Sequence, residues 1–309
     1  MPSTSKAIAV FFDAPGFQDY PFEPFAGNYY PDSYEELGRI LLQRGADFYI
    51  VRSQNTYLGN NTFSRGWKFD GTQFREHDEP ITVDRIYNKG LFTADKAARL
   101  LNDVEMESIC INKYNTYKYF SDLQARSVLA ENQQDVTTGL AQLQTAMIVA
   151  KPLYGSEGNG IVIEPRESLA QHLTTFPYLL QEFMDTSEGI PGLTKTMHDF
   201  RIVIMNGEII DVYIRTPKSG SLLANIGQGG SLFQIPVEKI PVDAKEILQK
   251  VETRFSQFPT RVYALDMCRQ KNGAWTIIEI NSQPGLPERI EPNFLLFLNT
   301  LADLLLAGL

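Results

Sequence analysis

Two acidic residues near the C-terminal end of the chain are spaced to share one site. Asp266 and Glu279 flank an Asn-Gly pair at positions 272 and 273, between two runs of strand-like sequence. An Asn-Gly pair in this setting is a strong signal for a β-hairpin. With a two-residue turn, Asp266 faces Glu279, and Asn281 lies two residues further along on the same face. Two carboxylates and an amide oxygen form a ligand set that suits Mg²⁺.

The other face of this hairpin is predicted to belong to the core. Its residues are apolar, and they are Tyr263, Leu265, Met267, Ile278 and Ile280. The alternative for the polar face is a solvated sheet surface that carries two unrelated acids. A bulge or a longer turn would change the pairing on which the metal site depends.

A glycine-rich loop follows a strand that ends in a lysine. Lys151 ends the predicted strand, and Gly155, Gly158 and Gly160 follow within ten residues. Glycines allow backbone N–H groups to approach a phosphate closely. The segment lacks the Gly-Lys-Ser/Thr of a P-loop, and the next predicted element is a strand, which excludes a Rossmann turn. The loop therefore predicts a flap over a nucleotide, with an ordinary hairpin loop as the alternative.

Cations and an amide follow in the next part of the chain. Arg201 and Arg215 lie on the two strands of another predicted hairpin, and Asn225 lies in the loop after it. An arginine side chain can engage two oxygens of a carboxylate or phosphate at once. These residues predict oxyanion binding, with surface salt bridges as the alternative.

The elements that must position these residues change in pattern near residue 110. Before it, the sequence predicts strands over 7–12, 47–51 and 85–88 and helices over 33–44 and 95–101. Strands that alternate with helices indicate a small α/β unit with a parallel sheet.

The remainder of the chain is predicted to be an α+β body of antiparallel strands. Its elements are a helix over 116–131, strands over 146–153, 161–164 and 178–184, and hairpins over 200–214 and 261–280.

Composition excludes several other classes of protein. The 309 residues include 28 Lys and Arg against 37 Asp and Glu, a net charge of −9. This acidic balance argues against a general nucleic-acid-binding face. Two cysteines and three scattered histidines exclude a disulfide framework and zinc-type spacing. A reducing, cytoplasmic location is expected.

Two apolar runs bear on membranes. The N-terminal run over 7–12 is too short for a signal peptide and reads as a strand. The C-terminal run over 294–309 is shorter than the ~20 residues of a membrane span, and polar residues interrupt it. We expect a terminal helix docked on the protein, with a subunit contact as the alternative, and no membrane partner.

Taken in order, the segments over 111–290 resemble the ATP-grasp superfamily of ligases. The resemblance is strongest to the branch of glutathione-synthetase-like and ribosomal-protein-glutamate-ligase-like enzymes. Its most specific segments are 149–160, 180–184, 198–201 and 277–286. The last of these contains Glu-Ile-Asn-Ser-Gln-Pro-Gly and is nearly a signature by itself.

The resemblance implies a fold class of α/β and α+β. It implies an ATP-grasp fold, in which two α+β lobes enclose ATP, preceded by a small α/β N-terminal domain. The implied domains are 1–110 and 111–309, and the lobes of the second are 111–185 and 186–309.

Site residues are carried over from the family position by position. Metal binding falls to Asp266, Glu279 and Asn281, and catalysis around the γ-phosphate and the reacting carboxylate falls to Arg201, Arg215 and Asn225. Lys118 is left open as an alternative to Lys113, and Glu188 as an alternative to Asp185. The nucleotide would be bound by Lys113, Lys151, Gly155, Ser156, Gly158, Asn159, Gly160, Glu182, Phe183 and Asp185.

The activity implied is that of an ATP-dependent carboxylate–amine ligase. Such an enzyme forms an amide bond through an acyl phosphate and releases ADP and phosphate. The implied cofactors are ATP and two Mg²⁺ ions, with Mn²⁺ able to substitute. The partners would be small-molecule or peptide carboxylates and amines, with a homo-oligomer left open. The alternatives are a kinase of the same fold and a nucleotide-binding module without turnover.

Overall fold

The computed structural model describes residues 5–16, 20–23, 30–155, 158–218, 220–222, 224 and 229–309. Two predicted site residues, Ser156 and Asn225, lie outside these ranges. The helices are α1 (Tyr30–Gln43), α2 (Val104–Ile111), α3 (Lys113–Phe120), α4 (Gln133–Leu140), α5 (Arg166–Leu169), α6 (Val242–Phe255) and α7 (Phe294–Leu306). The first eight strands are β1 (Lys6–Phe12), β2 (Ala46–Arg52), β3 (Tyr57–Gly59), β4 (Thr62–Phe63), β5 (Gly66–Phe69), β6 (Phe74–His77), β7 (Ile81–Thr82) and β8 (Arg85–Asn88). The later strands are β9 (Ser127–Ala130), β10 (Met147–Pro152), β11 (Val162–Pro165), β12 (Tyr178–Glu182), β13 (Asp199–Met205), β14 (Glu208–Thr216), β15 (Ser231–Gln234), β16 (Val262–Arg269) and β17 (Trp275–Asn281).

The chain divides into two compact units. Unit 1 contains Met1–Val104, Phe258–Val262 and Gln283–Leu309. Unit 2 contains Glu105–Gln257 and Tyr263–Ser282. These units differ from a single cut at residue 110, because the last residues of the chain pack with the first hundred.

Unit 1 is built on a five-stranded sheet in the order β6-β5-β2-β1-β8. The central strand β1 pairs in parallel with β2 and with β8. Residues Ile8, Ala9, Val10 and Phe11 are all buried, as expected of a parallel strand covered on both faces. The predicted parallel α/β arrangement is confirmed, whereas the antiparallel strands β5 and β6 were not predicted.

Helix α7 contains the apolar C-terminal run and packs against α1 and β8 within unit 1. Phe297, Leu298 and Leu301 are buried on its inner face. The predicted docked helix is therefore confirmed. Among the helices of the described ranges, none has the length and apolarity that a bilayer span requires.

The predicted helix over 95–101 is wrong. The Asp95 carboxylate accepts from the N–H groups of Asn60 and Ala97, and the segment forms a turn. Leu101 N–H then donates to Ile86 O at 2.8 Å. These bonds satisfy the backbone without a helix, and the short apolar pattern alone could not reveal them.

Unit 2 contains two antiparallel sheets. The first has the order β11-β10-β12-β9, and the second has the order β15-β14-β13-β16-β17. A predicted helix over 116–131 is wrong beyond Phe120, because α3 ends there and β9 begins at Ser127. The actual helix begins earlier, at Lys113, where the Asn112 side chain accepts from the N–H groups of Tyr114 and Asn115.

The first predicted hairpin, β13–β14, turns at Asn206-Gly207. Both residues have positive φ, 48° and 88°, as the tight turn of a two-residue hairpin requires. A bulge at Ile210 then shifts the pairing by one residue. As a result, Asp199 pairs with Arg215.

The second hairpin, β16–β17, has a longer turn than predicted. Gly273 N–H donates to Gln270 O, and Gln270 N–H donates to Ala274 O, so residues 271–273 form a three-residue turn. The prediction of a two-residue turn is wrong, and Gly273 provides the positive φ of 90° that this longer turn needs.

A β-bulge restores the predicted pairing further along this hairpin. The longer turn shifts the register by one, and the extra residue Ile278 in β17 shifts it back. Asp266 therefore faces Glu279, as predicted. The prediction that Ile278 belongs to the core face is wrong, because the bulge turns this residue toward a cavity and Ile277 is the buried residue instead.

Candidate functional site

A cavity of about 130 Å³, measured as the volume open to the centre of a water molecule, lies within unit 2. Both antiparallel sheets contribute to its wall. The first sheet provides Val149 and Lys151 from β10, and the second provides Asp266 and Glu279 from the hairpin β16–β17. The cavity thus lies where the sequence-predicted flap lysine and the paired carboxylates meet.

Two lysines lie at the polar end of this cavity. Lys113 Nζ is 3.2 Å from Glu279 Oε1 and donates to Gly155 O at 2.7 Å. Lys151 is 6% exposed, and its Nζ lies 3.4 Å from Ile278 O. Burial lowers the pKa of Lys151 to about 8, although Glu279 opposes this shift. This end of the cavity can neutralise a polyanion.

Asp266 lies beside two arginines on the neighbouring strands. Arg201 donates to it from Nε and Nη2, each at 2.5 Å, and Arg215 Nη2 donates to it at 2.9 Å. Burial opposes ionisation of this carboxyl group, but the two guanidinium groups outweigh burial and hold the pKa of Asp266 below its usual range. The carboxylate is therefore charged at neutral pH.

Asp199 completes this buried charge cluster. Its Oδ2 accepts from Arg215 Nη2, while its buried Oδ1 has no hydrogen-bond partner among the described residues. Burial raises the pKa of Asp199 to about 6, although Arg215 opposes the shift. Arg215 thus bridges two carboxylates, one with a raised pKa and one with a lowered pKa. Its position depends on both.

The wall beyond the charged groups contains softer and more apolar atoms. Cys268 Sγ lies 3.6 Å from Met184 Sδ, and burial raises the pKa of the Cys268 thiol to about 12. His198 Nε2 accepts from Arg269 N–H at 3.1 Å, so Nδ1 carries the hydrogen near Thr196 O. Burial lowers the pKa of His198, which keeps its ring neutral. This wall suits a flat, uncharged ring more than an ion.

The cavity brings together many of the residues predicted from the sequence. Lys113 lies in its wall, whereas the alternative Lys118 is exposed with its Nζ over the Tyr114 ring. The predicted residues that line the cavity are Lys113, Lys151, Gly155, Gly158, Asn159, Phe183, Arg215, Asp266 and Glu279.

Other predicted residues lie apart from the cavity wall. Within the described ranges, these are Gly160, Glu182, Asp185, Arg201 and Asn281. Arg201 acts on the cavity through its pair with Asp266. Glu182 Oε1 accepts from Gln144 N–H at 2.6 Å, and Asp185 Oδ1 accepts from Ser187 N–H at 3.0 Å. Their predicted contacts with a nucleotide stay predictions.

Sequence reasoning missed several residues of the wall. Gln181 and Cys268 could have been found, because each lies two residues from a predicted site residue on the same strand face. Asp199 could not, because its pairing with Arg215 depends on the bulge at Ile210. His198 lies in the segment over 198–201 that carries the resemblance, but it was not assigned a role in the site.

The three predicted metal ligands lie on the hairpin β16–β17. Asp266 and Glu279 face each other, and Asn281 follows Glu279 by two residues on the same strand. All three offer hard oxygen atoms, as Mg²⁺ prefers. Nowhere in the described ranges do three or more His, Cys, Asp or Glu side chains cluster as a metal site. These residues fit Mg²⁺, and arginine and lysine side chains neutralise the carboxylates here.

Comparison with known proteins decides the family. Residues 121–294 match the sequence model of the RimK-like ATP-grasp domain. The chain belongs to this family. The ATP-grasp fold and the resemblance proposed from the sequence are thereby confirmed, and the cavity between the two sheets is the candidate ATP-grasp site.

Relatives with similar sequences include ligases. The chain is 27% identical over 163 residues to a probable alpha-L-glutamate ligase of Thioalkalivibrio sulfidiphilus, which covers 51% of this chain and 49% of that protein. It is 27% identical over 191 residues to glutathione synthetase of Prochlorococcus marinus, with 58% and 56% covered. The chain thus spans about half the length of these relatives. The ATP-grasp ligase PsnB, solved with a phosphomimetic variant of its minimal precursor, Mg and ADP, has the same fold with a TM-score of 0.58, 13% identity and coverage of 98% and 99%.

Proposed function

We propose that this protein is an ATP-dependent carboxylate–amine ligase that forms an amide bond. The observation that carries the proposal is the meeting of Lys113, Lys151, Arg215, Asp266 and Glu279 at one end of a single cavity in a RimK-like ATP-grasp domain. This end combines cations for phosphates with facing carboxylates for a metal. The relatives named as glutamate ligase and glutathione synthetase support the same activity.

The nucleotide would lie along the cavity with its phosphates at the charged end. Lys113 and Lys151 would neutralise the phosphates, and the glycine loop at Gly155 and Gly158 would cover them. The base would lie against the softer wall near Met184 and Cys268. In this orientation the charged end of the cavity contacts the phosphates and the apolar wall contacts the base.

Asp266, Glu279 and Asn281 would hold Mg²⁺, which neutralises the charge between the phosphates when it is bound. The partners of the two carboxylates must change when a metal is held. Arg201 and Arg215 would then be released from part of their contact with Asp266, and Lys113 from Glu279. The released cations would lie beside the phosphate that is transferred. We propose no fixed number of ions, and substitution by Mn²⁺ stays a prediction.

The reaction would activate a substrate carboxylate as an acyl phosphate. A carboxylate oxygen attacks the γ-phosphorus, ADP leaves, and Arg201 and Arg215 stabilise the charge on the equatorial oxygens. An amine then attacks the acyl carbon, an amide bond forms, and phosphate leaves. Because acyl phosphates hydrolyse readily, the glycine loop would also exclude water.

We propose that the substrates are amino acids or peptides. Support comes from the relatives, whose names refer to glutamate and glutathione, and from a RiPP-associated ATP-grasp ligase of the same fold, which was solved with a leader and core peptide. A panel of amino acids and short peptides, supplied in pairs, tests the proposal. We expect one pair to release ADP and phosphate in equal amounts. Formation of a stable phosphorylated substrate without release of phosphate would instead indicate a kinase.

Burial of Lys151 predicts that nucleotide binding takes up a proton at alkaline pH. The pKa of Lys151 is lowered to about 8 by burial, and phosphates beside the ammonium group would raise it again. Below this pH the lysine is already charged. Above it, binding must add a proton, so the affinity for ADP is expected to fall by up to about tenfold per pH unit.

Calorimetry with ADP between about pH 7 and about pH 9.5 checks this prediction. The Lys151→Met variant is the control, since it has no proton to gain and should show a flatter profile. An affinity that rises with pH, or an equal slope in both proteins, would contradict the role of Lys151.

A further inference from the structure

A second, smaller cavity lies beside the phosphate end of the ATP-grasp site. It has a volume of about 10 Å³ open to the centre of a water molecule, which is room for about one water. Gln124, Gln181, Lys113 and Lys151 all contribute to its wall. Gln124 Oε1 and Gln181 Oε1 are both buried, and neither has a hydrogen-bond partner among the described residues.

Hydrogen bonds fix which atom of Gln181 faces this cavity. The Ser127 hydroxyl donates its only hydrogen to Ala125 O at 2.9 Å, so it can only accept from Gln181 Nε2, which lies 3.0 Å away. The amide nitrogen of Gln181 is therefore committed to Ser127. Its oxygen is left as an acceptor inside the protein, where the side chain is 1% exposed.

Backbone pairing holds Gln124 beside β17. Ile277 N–H donates to Leu123 O at 2.9 Å, and Gln124 forms a parallel bridge with Ile277. Gln124 Oε1 is buried, and the two ammonium groups in the same wall can donate to it, while the Glu279 carboxylate in that wall is paired with Lys113. A buried carbonyl oxygen without a hydrogen-bond partner destabilises the fold, so two such oxygens in one cavity call for a donor.

The lysines supply the complementary groups. Lys151 Nζ has three hydrogens, and its contact with Ile278 O is long at 3.4 Å. Lys113 Nζ donates to Gly155 O and pairs with Glu279, which uses part of its capacity. The wall, which also contains Thr116 and Glu279, thus offers two acceptors without partners and two ammonium donors to one water.

We propose that this cavity is the binding site of one ordered water that donates to Gln124 Oε1 and Gln181 Oε1 and accepts from Lys151 and Lys113. A water molecule has two hydrogens and two lone pairs, so four such partners satisfy it completely. Gln124 and Gln181 are then positioning residues: through the water they hold the Lys151 ammonium group at the phosphate end of the cavity. The effect on ADP affinity rests on the proposed function, whereas the water site itself does not.

The test is a double-mutant cycle on ADP affinity. We expect Gln124→Met and Gln181→Met each to weaken ADP binding by about two- to tenfold, the range of one hydrogen bond. Adenosine, which has no phosphate, should bind these variants as it binds the original protein. In a Lys151→Met background the same substitutions should leave ADP affinity unchanged, because the group that they position is gone.

Gln249→Met on the exposed face of α6 is the matched control, and thermal unfolding shows that each variant is folded. Equal losses of ADP affinity with and without Lys151 would overturn the positioning role.

A high-resolution crystal structure decides the water itself: density between the two amide oxygens supports the site, and a dry cavity overturns it. Failure of the original protein to bind ADP would contradict the proposed function, and the density would still decide the water.

Discussion

Replacing Glu279 by Gln is expected to reduce ATP-dependent turnover by at least about 10²- to 10³-fold while the protein stays folded. The amide has the shape of the carboxylate but not its charge, so it faces Asp266 without supplying a second anionic ligand. Glu279 is partly exposed, and Lys113 keeps its hydrogen bond to Gly155 O in the variant. Steady-state release of ADP, measured across Mg²⁺ concentrations, checks the expectation.

Glu246→Gln is the matched control for this variant, because Glu246 lies exposed on α6 in the same unit. We expect it to retain the original rate. Comparable turnover in Glu279→Gln and Glu246→Gln would contradict the metal assignment.

Replacing Arg215 by Met is expected to have the largest effect on stability. Arg215 bridges Asp199 and Asp266, and its side chain is 7% exposed. Removal of one partner of a buried ion pair costs about 3–5 kcal/mol, because a buried charge is left uncompensated. Denaturant unfolding should show this loss, together with loss of turnover. The free energy of unfolding should partly recover as the pH falls, because a protonated Asp199 is no longer a buried charge.

Two further variants separate charge burial from other causes. Arg254→Met removes a half-exposed pair with Asp122 together with a contact over the Phe120 ring, and we expect it to destabilise the protein clearly less than Arg215→Met does. Adding Asp199→Asn to Arg215→Met should restore part of the stability but not the turnover, since the arginine is still absent. Equal destabilisation by Arg215→Met and Arg254→Met would show that the buried cluster does not act as described.

The sequence predicted the facing of Asp266 and Glu279, although the turn on which the prediction rested was wrong. A three-residue turn and the bulge at Ile278 shift the pairing in opposite directions and cancel. Neither is visible as a pattern of residue types. The facing of Asp266 and Glu279 was therefore recovered only because the two one-residue shifts cancel before these residues are reached.

The failures have a common physical origin in tertiary contacts. Asp199 faces Arg215 only because of a bulge, and the segment over 95–101 is held by side chains from distant residues such as Asn61. Gln181 was overlooked as a site residue because an uncharged glutamine does not by itself indicate a site, although its spacing from Phe183 places it on the same face. The cysteine and histidine in the cavity wall also carry no ligand pattern, and their burial keeps both uncharged. Residue types with strong charge were easier to predict than the neutral residues that position them.

Trapping with hydroxylamine tests the central claim most directly. If the ATP-grasp site activates a carboxylate as an acyl phosphate, the responsive amino acid or peptide should give a hydroxamate in an amount equal to the ADP and phosphate released. The Glu279→Gln variant should give none. Consumption of ATP that yields a stable phosphorylated substrate, with neither hydroxamate nor free phosphate, would contradict the proposal.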